Sequence, residues 1–345
     1  MNASPSVTLE DVARVAGVSR ATVSRVINDT RNVDPALREQ VERAVALTGY
    51  VPNRAARSLV TRRTDSIGLV VSEAERRKVE GPFVGRMFTD PFFGRVVTGM
   101  LSVLRPRGIQ MVLMLADDAQ SRTQLLGYLR QGHVDGVILI SSHITDALPR
   151  QLVDLRLPSV LSARPGQPTP ITFVDVDQAA GARLAVEHLV ARGRRRIATI
   201  AGPLDMPASQ DRLAGFRAAI AEHGLPEPAV AEGDFTQQGG AAAMKQLLAE
   251  APDLDGVFVA SDLMALGALP MLSRAGRRVP TDVSVVGFDD SSAALACDPP
   301  LTTVHQPVEE MAAEMTTLVL RQIEQPGQAV ASAIFHPTLV VRESS

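Results

Sequence analysis

Arg20, Ala21 and Arg25 fall on one face of the octapeptide RATVSRVI, opposite Val23 and Val26. An arginine near the start of a helix can offer paired donors to guanine, whereas an alanine offers only an apolar contact, for example to a thymine methyl. Around them Thr8, Ser19, Thr22, Ser24 and Asn28 supply hydroxyls and an amide. These suit phosphate oxygens, or the free N–H groups of the helices they flank. A second group stands far down the chain, where functional side chains follow apolar runs. Asp289 follows VSVVGF, Ser261 and Asp262 follow GVFVA, Phe235 sits in GDFTQ, Arg164 follows VLSA, and Asp90 and Phe92 belong to TDPFF. Here a carboxylate can accept paired sugar hydroxyls and a ring can stack on a pyranose face. Asp262 reads better as a helix N-cap than as a ligand, and Asp290 as a cap of the next turn.

The first group needs two short helices to hold it. Thr8 with Asp11 three residues later is a capping-box start, Val12, Ala13 and Ala16 share a face, and Gly17 ends the helix. Ser19 is placed to N-cap the second helix, whose Thr22, Val23 and Val26 turn inward. Asp34-Pro35 announces a third, carrying Leu37, Val41, Val45 and Leu47 inward as far as Gly49. This is helix-turn-helix spacing. Charge agrees with it: residues 1–63 hold ten arginines against six acids, net +4, while the rest of a chain of net charge −3 is −7. A basic head on an acidic body attracts phosphate without the body adhering as well.

The text DVARVAGVSRATVSRVIN, followed by VPNRAARSL, closely resembles the N-terminus of the lactose repressor (LacI/GalR) family of bacterial transcription regulators. The resemblance implies that Arg20 and Ala21 discriminate bases, with Arg25 as a second reader. It also implies that 53–59 forms a hinge helix, which pairs with its dimer mate in the minor groove. Asn53 and Ala56 would contact DNA there, and Leu59 would wedge a base step open. Seven residues are too few for a helix stable alone, so the hinge should order only when two bodies hold it on DNA.

From Thr64 onward strand and helix signals alternate. Apolar runs at Ser66 to Val71, Ile109 to Ala116, Val134 to Ser141 and Ser159 to Ala163 enclose helical stretches near 92–105, 120–131 and 145–155. The pattern restarts with runs at Arg196 to Ala201, Ala229 to Phe235, Asp255 to Ala260 and Val283 to Phe288, among helices near 178–192, 208–223, 238–250 and 262–275. The echo of VDGVILISS in LDGVFVASD suggests two similar lobes. A length of 345 residues suits two or three cores at ~150 residues per domain.

The expected fold is therefore an all-α helix-turn-helix headpiece followed by an α/β body of two parallel-sheet lobes, which the resemblance makes periplasmic-binding-protein-like. Domain limits are placed at 1–50 for the head, 51–65 for hinge and linker, 66–173 plus 308–334 for the first lobe, and 174–305 plus 335–345 for the second. Crossovers are expected near Phe173 to Val174, His305 to Val308 and Ala333 to Pro337. The long stretch 73–90 reads as an excursion at the cleft mouth or as a solvated loop. Parallel sheets bind ligands beyond their strands' carboxyl ends, so a small-molecule effector, a sugar above a purine, is expected between the lobes. The resemblance adds Arg212 in SQDRLAGF as a cleft arginine. It also sets Gln210 where the lactose repressor carries an inducer-binding arginine, which argues against a simply lactose-like ligand.

Several classes fall away. No GxGxxG or GxxxxGKS phosphate loop and no nucleophile elbow occurs, so an enzyme is not expected. Six scattered histidines and the single Cys297 show no metal-ligand spacing and allow no internal disulfide, and no cofactor is expected. A soluble sugar-binding protein would explain the body but not the head, and the N-terminus lacks a basic start and an apolar core of signal-peptide type. The expectation is a cytoplasmic, nucleoid-associated regulator without membrane contact. It would bind a palindromic double-stranded operator as a homodimer, and its effector would switch a repressor. No counterpart of the tail helix that makes the lactose repressor a tetramer is expected after the final strand, so a dimer is the expectation.

Overall fold

The computed structural model describes residues 7–28, 33–51, 63–73, 88–140, 143–327, 329 and 332–345. It falls into two compact units, 1–65 and 66–345, each described by itself.

In the first unit α1 (Leu9–Ala16), α2 (Arg20–Ile27) and α3 (Pro35–Thr48) enclose a small aliphatic core of Val12, Ala13, Ala16, Val23, Val26, Val41 and Ala44. Each terminus has an identifiable cause. Thr8 and Asp11 form the capping box of α1, Ser19 Oγ accepts the Thr22 N–H at 3.1 Å, and Asp34 accepts the Ala36 N–H at 2.8 Å. Gly17, at φ 62°, takes the left-handed turn that a side chain would resist, and Gln40 Nε2 donates to the freed Ala16 carbonyl at 2.8 Å. In α3 the inward stripe is narrower than its periodicity suggests. Leu37 and Leu47 are exposed, and Ala44 takes the buried place beside Val41.

The second unit carries two six-stranded sheets. The first comprises β1 (Ser66–Ser72), β2 (Gln110–Ala116), β3 (Gly136–Ile140), β4 (Ser159–Ser162), β5 (Thr172–Val176) and β11 (Ser332–Phe335), in the order β11-β5-β4-β3-β1-β2, all parallel. The second comprises β6 (Ile197–Ala201), β7 (Val230–Glu232), β8 (Gly256–Val259), β9 (Ser284–Asp289), β10 (Thr302–His305) and β12 (Thr338–Val340). Its order is β12-β10-β9-β8-β6-β7, parallel except where β12 meets β10. The central strand GVILI is buried throughout, and SIGLVVS from Ile67 onward, because helices cover both faces. On the first sheet, α4 (Pro91–Leu104) and α12 (Val308–Glu324) supply one cover, while α5 (Ala119–Arg130) and α6 (Leu148–Asp154) pack on the other face. At Gly99 the two cover helices approach so closely that a Cβ would lie 2.2 Å from the Glu309 carbonyl oxygen. The second sheet is covered by α7 (Gln178–Ala191) with α8 (Pro207–Glu222) and by α9 (Gln237–Glu250) with α10 (Asp262–Arg274).

The chain passes between lobes three times, and the first passage differs from expectation. Phe173 and Val174 lie inside β5, paired with Leu161 and Ser162 of β4, so the crossing comes after Val176. ITFVDV alternates as a strand, and its residues complete the first sheet before the chain leaves. The second crossing, between β10 and α12, falls within His305 to Val308 as expected. The third lies between β11 and β12, so the final IFHPTLVV is two strands in two sheets rather than one. A short helix α11 (Ser292–Ala296) follows β9; its Ala-rich text is too short to show periodicity.

Candidate functional site

On the head, Arg20, Ala21 and Arg25 stand exposed along α2 while Val23 and Val26 are buried, the division the spacing predicts. Arg20 Nε rests 3.0 Å from Glu10 Oε1 as an open ion pair, a contact weak enough to exchange for a base or phosphate. Thr8 and Ser19 are spent on capping, and Thr22 Oγ1 lies 2.9 Å from Ser19 Oγ. Asn28 is the C-cap of α2, its amide donating to Ser24 Oγ at 3.2 Å. Asn53, Ala56 and Leu59 lie outside the described residues, as does most of the 73–90 excursion.

In the body a cavity of about 580 Å³ opens between the lobes, at the carboxyl ends of both sheets. Six expected residues line it: Asp90, Phe92, Arg212, Phe235, Ser261 and Asp289. Ser261, not Asp262, is the N-cap of α10, its hydroxyl accepting the Met264 N–H at 3.2 Å. Asp262 is buried behind it, accepting from Ser291 N at 2.7 Å and Thr303 Oγ1 at 2.6 Å, and burial raises its pKa to about 7. Asp290 likewise caps nothing: it pairs with Arg342 at 2.5 Å and His305 at 3.0 Å, and Ser291 caps α11.

Two of the residues expected at the effector site do not line the cavity. Gln210 is exposed and donates to the Leu204 carbonyl at 3.1 Å, because two residues along a helix is about 200° of rotation away from Arg212. Arg164 stands beside the cavity wall, its N–H on Asp175 at 3.0 Å and its guanidinium gripping Asp211 at 2.5 and 2.6 Å.

Arg212 is the buried centre. Its guanidinium donates to Gln178 Oε1 at 2.7 Å, the Ala260 carbonyl at 2.5 Å and Gln306 Oε1 at 3.0 Å, and lies 3.7 Å from the Phe288 ring centroid. Burial lowers its pKa, and Asp289, Asp175 and Asp262 around it counter that only in part. Burial pushes Asp289 well above the carboxylate range against the pull of Arg212, and raises Asp90 to about 6. Asp289 has a positive φ of 113°, and its carboxylate carries no hydrogen bond among the described residues while its carbonyl is held from behind. Asp90 spends one oxygen on the Phe92 N–H at 2.9 Å. Acceptors therefore face the cavity from both lobes.

The sequence did not single out Gln178 or Gln306, which orient Arg212, nor His143. His143 lies 3.1 Å from Glu73 Oε1 and 3.0 Å from Asp205 Oδ2, while Ile144 N donates to the Asp205 carbonyl at 2.9 Å. These bonds join the first lobe to the second at the cavity rim. Gln306 had a usable signal, a polar residue at an expected crossover. No cluster of metal-binding side chains occurs among the described residues. Cys297 is a buried thiol whose pKa is pushed up to about 12, which suppresses its reactivity.

A helix-turn-helix head and a two-lobed body with a ligand-sized cleft define a ligand-responsive DNA-binding regulator. Comparison with known proteins agrees. The profile of bacterial regulatory proteins of the lacI family matches residues 8–53, and that of the periplasmic binding protein-like domain matches 186–345. The HTH-type transcriptional regulator CelR of Thermobifida fusca is 48% identical over 98% of both chains. The ribose operon repressor of Escherichia coli K12 is 34% identical over 98% of this chain and 99% of that one. Among solved structures, a CelR–cellobiose complex matches at 45% identity and TM-score 0.77, covering 98% of this chain and all of that one. A lac repressor dimer bound to operator and an anti-inducer matches at 30% and 0.81, covering 98% and 99%. The chain belongs to the lacI family of transcriptional regulators, and it is not an enzyme.

Proposed function

We propose that the chain is a homodimeric repressor of a near-palindromic operator, relieved or engaged by a glucose disaccharide of the cellobiose type bound between its lobes. The observation that carries the effector reading is the cavity itself. It has hydroxyl acceptors at Asp90 and Asp289 on opposite lobes, an aromatic wall at Phe235 and Phe92, and a buried arginine fixed between them. About 580 Å³ is typical of small-molecule sites and more than one monosaccharide ring fills. The CelR–cellobiose structure, alike over nearly the whole chain, points to the same ligand class. Ser261 and Phe92 complete the proposed contacts, and Arg164 and Gln210 act at most from outside the cavity.

For the dimer, β2 is an edge strand with an apolar face. Leu113 is exposed, Met111, Val112, Met114 and Leu115 are half-buried, and no described strand pairs with its outer edge. An apolar open edge of this length invites a second copy. Arg20 and Arg25 are the proposed base readers, Thr8, Ser19, Thr22, Ser24 and Asn28 the phosphate contacts, and Asn53, Ala56 and Leu59 the hinge contacts, the last three on the family resemblance alone. Leu59→Ala is expected to leave sugar binding unchanged while weakening operator binding and reducing the bend, as gel mobility on circularly permuted sites will show.

The test is selection of bound sites from a random duplex pool, repeated with cellobiose, glucose, ribose and purines. A palindrome whose recovery changes with cellobiose supports both halves of the reading. Response to a purine instead overturns the effector, and an asymmetric half-site overturns the dimer.

A further inference from the structure

Arg95 does not touch the cavity, yet it holds the groups that do. It sits on α4, one turn beyond Asp90 and Phe92, where Gly99 lets α4 and α12 close on each other. Its Nε and Nη2 donate to the two Glu309 carboxylate oxygens at 2.8 and 2.7 Å. The remaining donors leave the first lobe: Nη1 reaches the Asp289 carbonyl at 2.8 Å, and Nη2 the Gln306 carbonyl at 2.9 Å. Asp289 and Gln306 both line the cavity.

Asp289 needs that support. A φ of 113° is unfavourable for a side-chain-bearing residue and persists only where surroundings impose it. The Asp289 carbonyl is held by Arg95 and, at 3.4 Å, by the Gln306 N–H, so one guanidinium fixes both the strained residue and the crossover beside it. A planar fork with donors in fixed directions can satisfy four acceptor oxygens on three residues at once, which a lysine cannot.

We propose that Arg95 is a positioning residue of the effector site, holding the Asp289 backbone and the Gln306 crossover so that their side chains meet the sugar in register across the two lobes. This rests on the reading of the cavity as the effector site. Arg95 acts on Asp289 by charge as well. The groups facing the Asp289 carboxyl are Arg212 from α8, Asp262 from α10, and Asp90 and Arg95 from the α4 segment; both arginines lower its pKa and both acids raise it. Removing the Arg95 charge therefore raises the pH at which Asp289 ionises. A sugar hydroxyl bonded to the carboxylate then loses its acceptor at a higher pH than in the wild type.

The experiment compares wild type, Arg95→Gln and Arg95→Lys in the full-length protein. Cellobiose affinity is measured by calorimetry across pH, and Asp289 ionisation by carbon-13 NMR of labelled aspartate, assigned with Asp289→Asn. Arg95→Gln is expected to weaken cellobiose about tenfold or more, the scale of losing charged hydrogen bonds. It should also move both the Asp289 midpoint and the pH profile of binding upward. Arg95→Lys, which keeps the charge and loses the fork, should leave the midpoint in place while restoring only part of the affinity. A lower melting temperature with an unmoved Asp289 midpoint and wild-type cellobiose affinity overturns the proposal, as does full rescue by lysine. If the wild type binds no cellobiose, the effector reading fails by itself. The Asp289 backbone resonances then still decide Arg95: displaced in both Arg95→Gln and Arg95→Lys, with the midpoint raised only in Arg95→Gln, they support the positioning role, and undisplaced they contradict it.

Discussion

The head carries its chemistry on the outside and the body carries it within. On α2 the arginines proposed to read bases are exposed, and seven small aliphatic residues hold the three helices beneath them. In the body Arg212, Asp262 and Asp175 are buried, and the groups proposed to meet ligand are held by partners from the other lobe or from a crossover. An exposed reader can be replaced with little effect on its scaffold. A buried one cannot, because its loss leaves desolvated partners unpaired.

The largest expected effect follows from that contrast. Arg212→Ala strands Gln178, the Ala260 carbonyl and Gln306, and should destabilise the body by about 3–5 kcal/mol in urea unfolding while abolishing sugar binding. Arg20→Ala should cost about 1–3 kcal/mol in operator binding, chiefly by relaxing base preference, with the unfolding curve unchanged. Equal losses of stability in the two variants would break the comparison.

Asp90→Asn sharpens it through pH. Because burial raises Asp90 from 3.8 to about 6, the folded state binds its proton more tightly than the unfolded chain does. The stability this confers is complete below the unfolded value and is lost as pH rises through the folded one. The asparagine variant should therefore be the more stable by about 1–2 kcal/mol at neutral pH, converging on the wild type in acid, as thermal unfolding at several pH values will report. The smallest effect belongs to the head: Thr8→Ala removes the hydroxyl half of the capping box and should cost about 1 kcal/mol without changing which bases are preferred.

The two regions were not equally legible. Thr8, Gly17, Ser19, Pro35 and Gly49 are local signals, acting within four residues of where they stand, and the helices begin and end where those residues say. The order of strands and helices in the body was legible for the same reason, since burial on both faces leaves uninterrupted apolar runs. Phe173 was assigned to a crossing because alternation alone does not say which sheet a strand joins. Arg95 and Gln306 were overlooked because they meet across 211 residues, and no local pattern marks such a pair. Arg212 and Gln210 were both named through one resemblance, two positions apart, and only Arg212 lines the cavity. Helical rotation decides which of such neighbours faces the cleft.

The central claim is that two separable chemistries are coupled, and operator titration by fluorescence anisotropy with and without cellobiose tests it directly in wild type, Arg20→Ala and Arg212→Ala. The wild type should show operator affinity shifted by cellobiose about 5- to 150-fold, the usual range of coupling between sites. Arg20→Ala should keep that ratio at weaker operator affinity, and Arg212→Ala should keep operator affinity with the ratio reduced to one. A wild type indifferent to cellobiose, or an Arg212→Ala protein still responsive to it, would contradict the account.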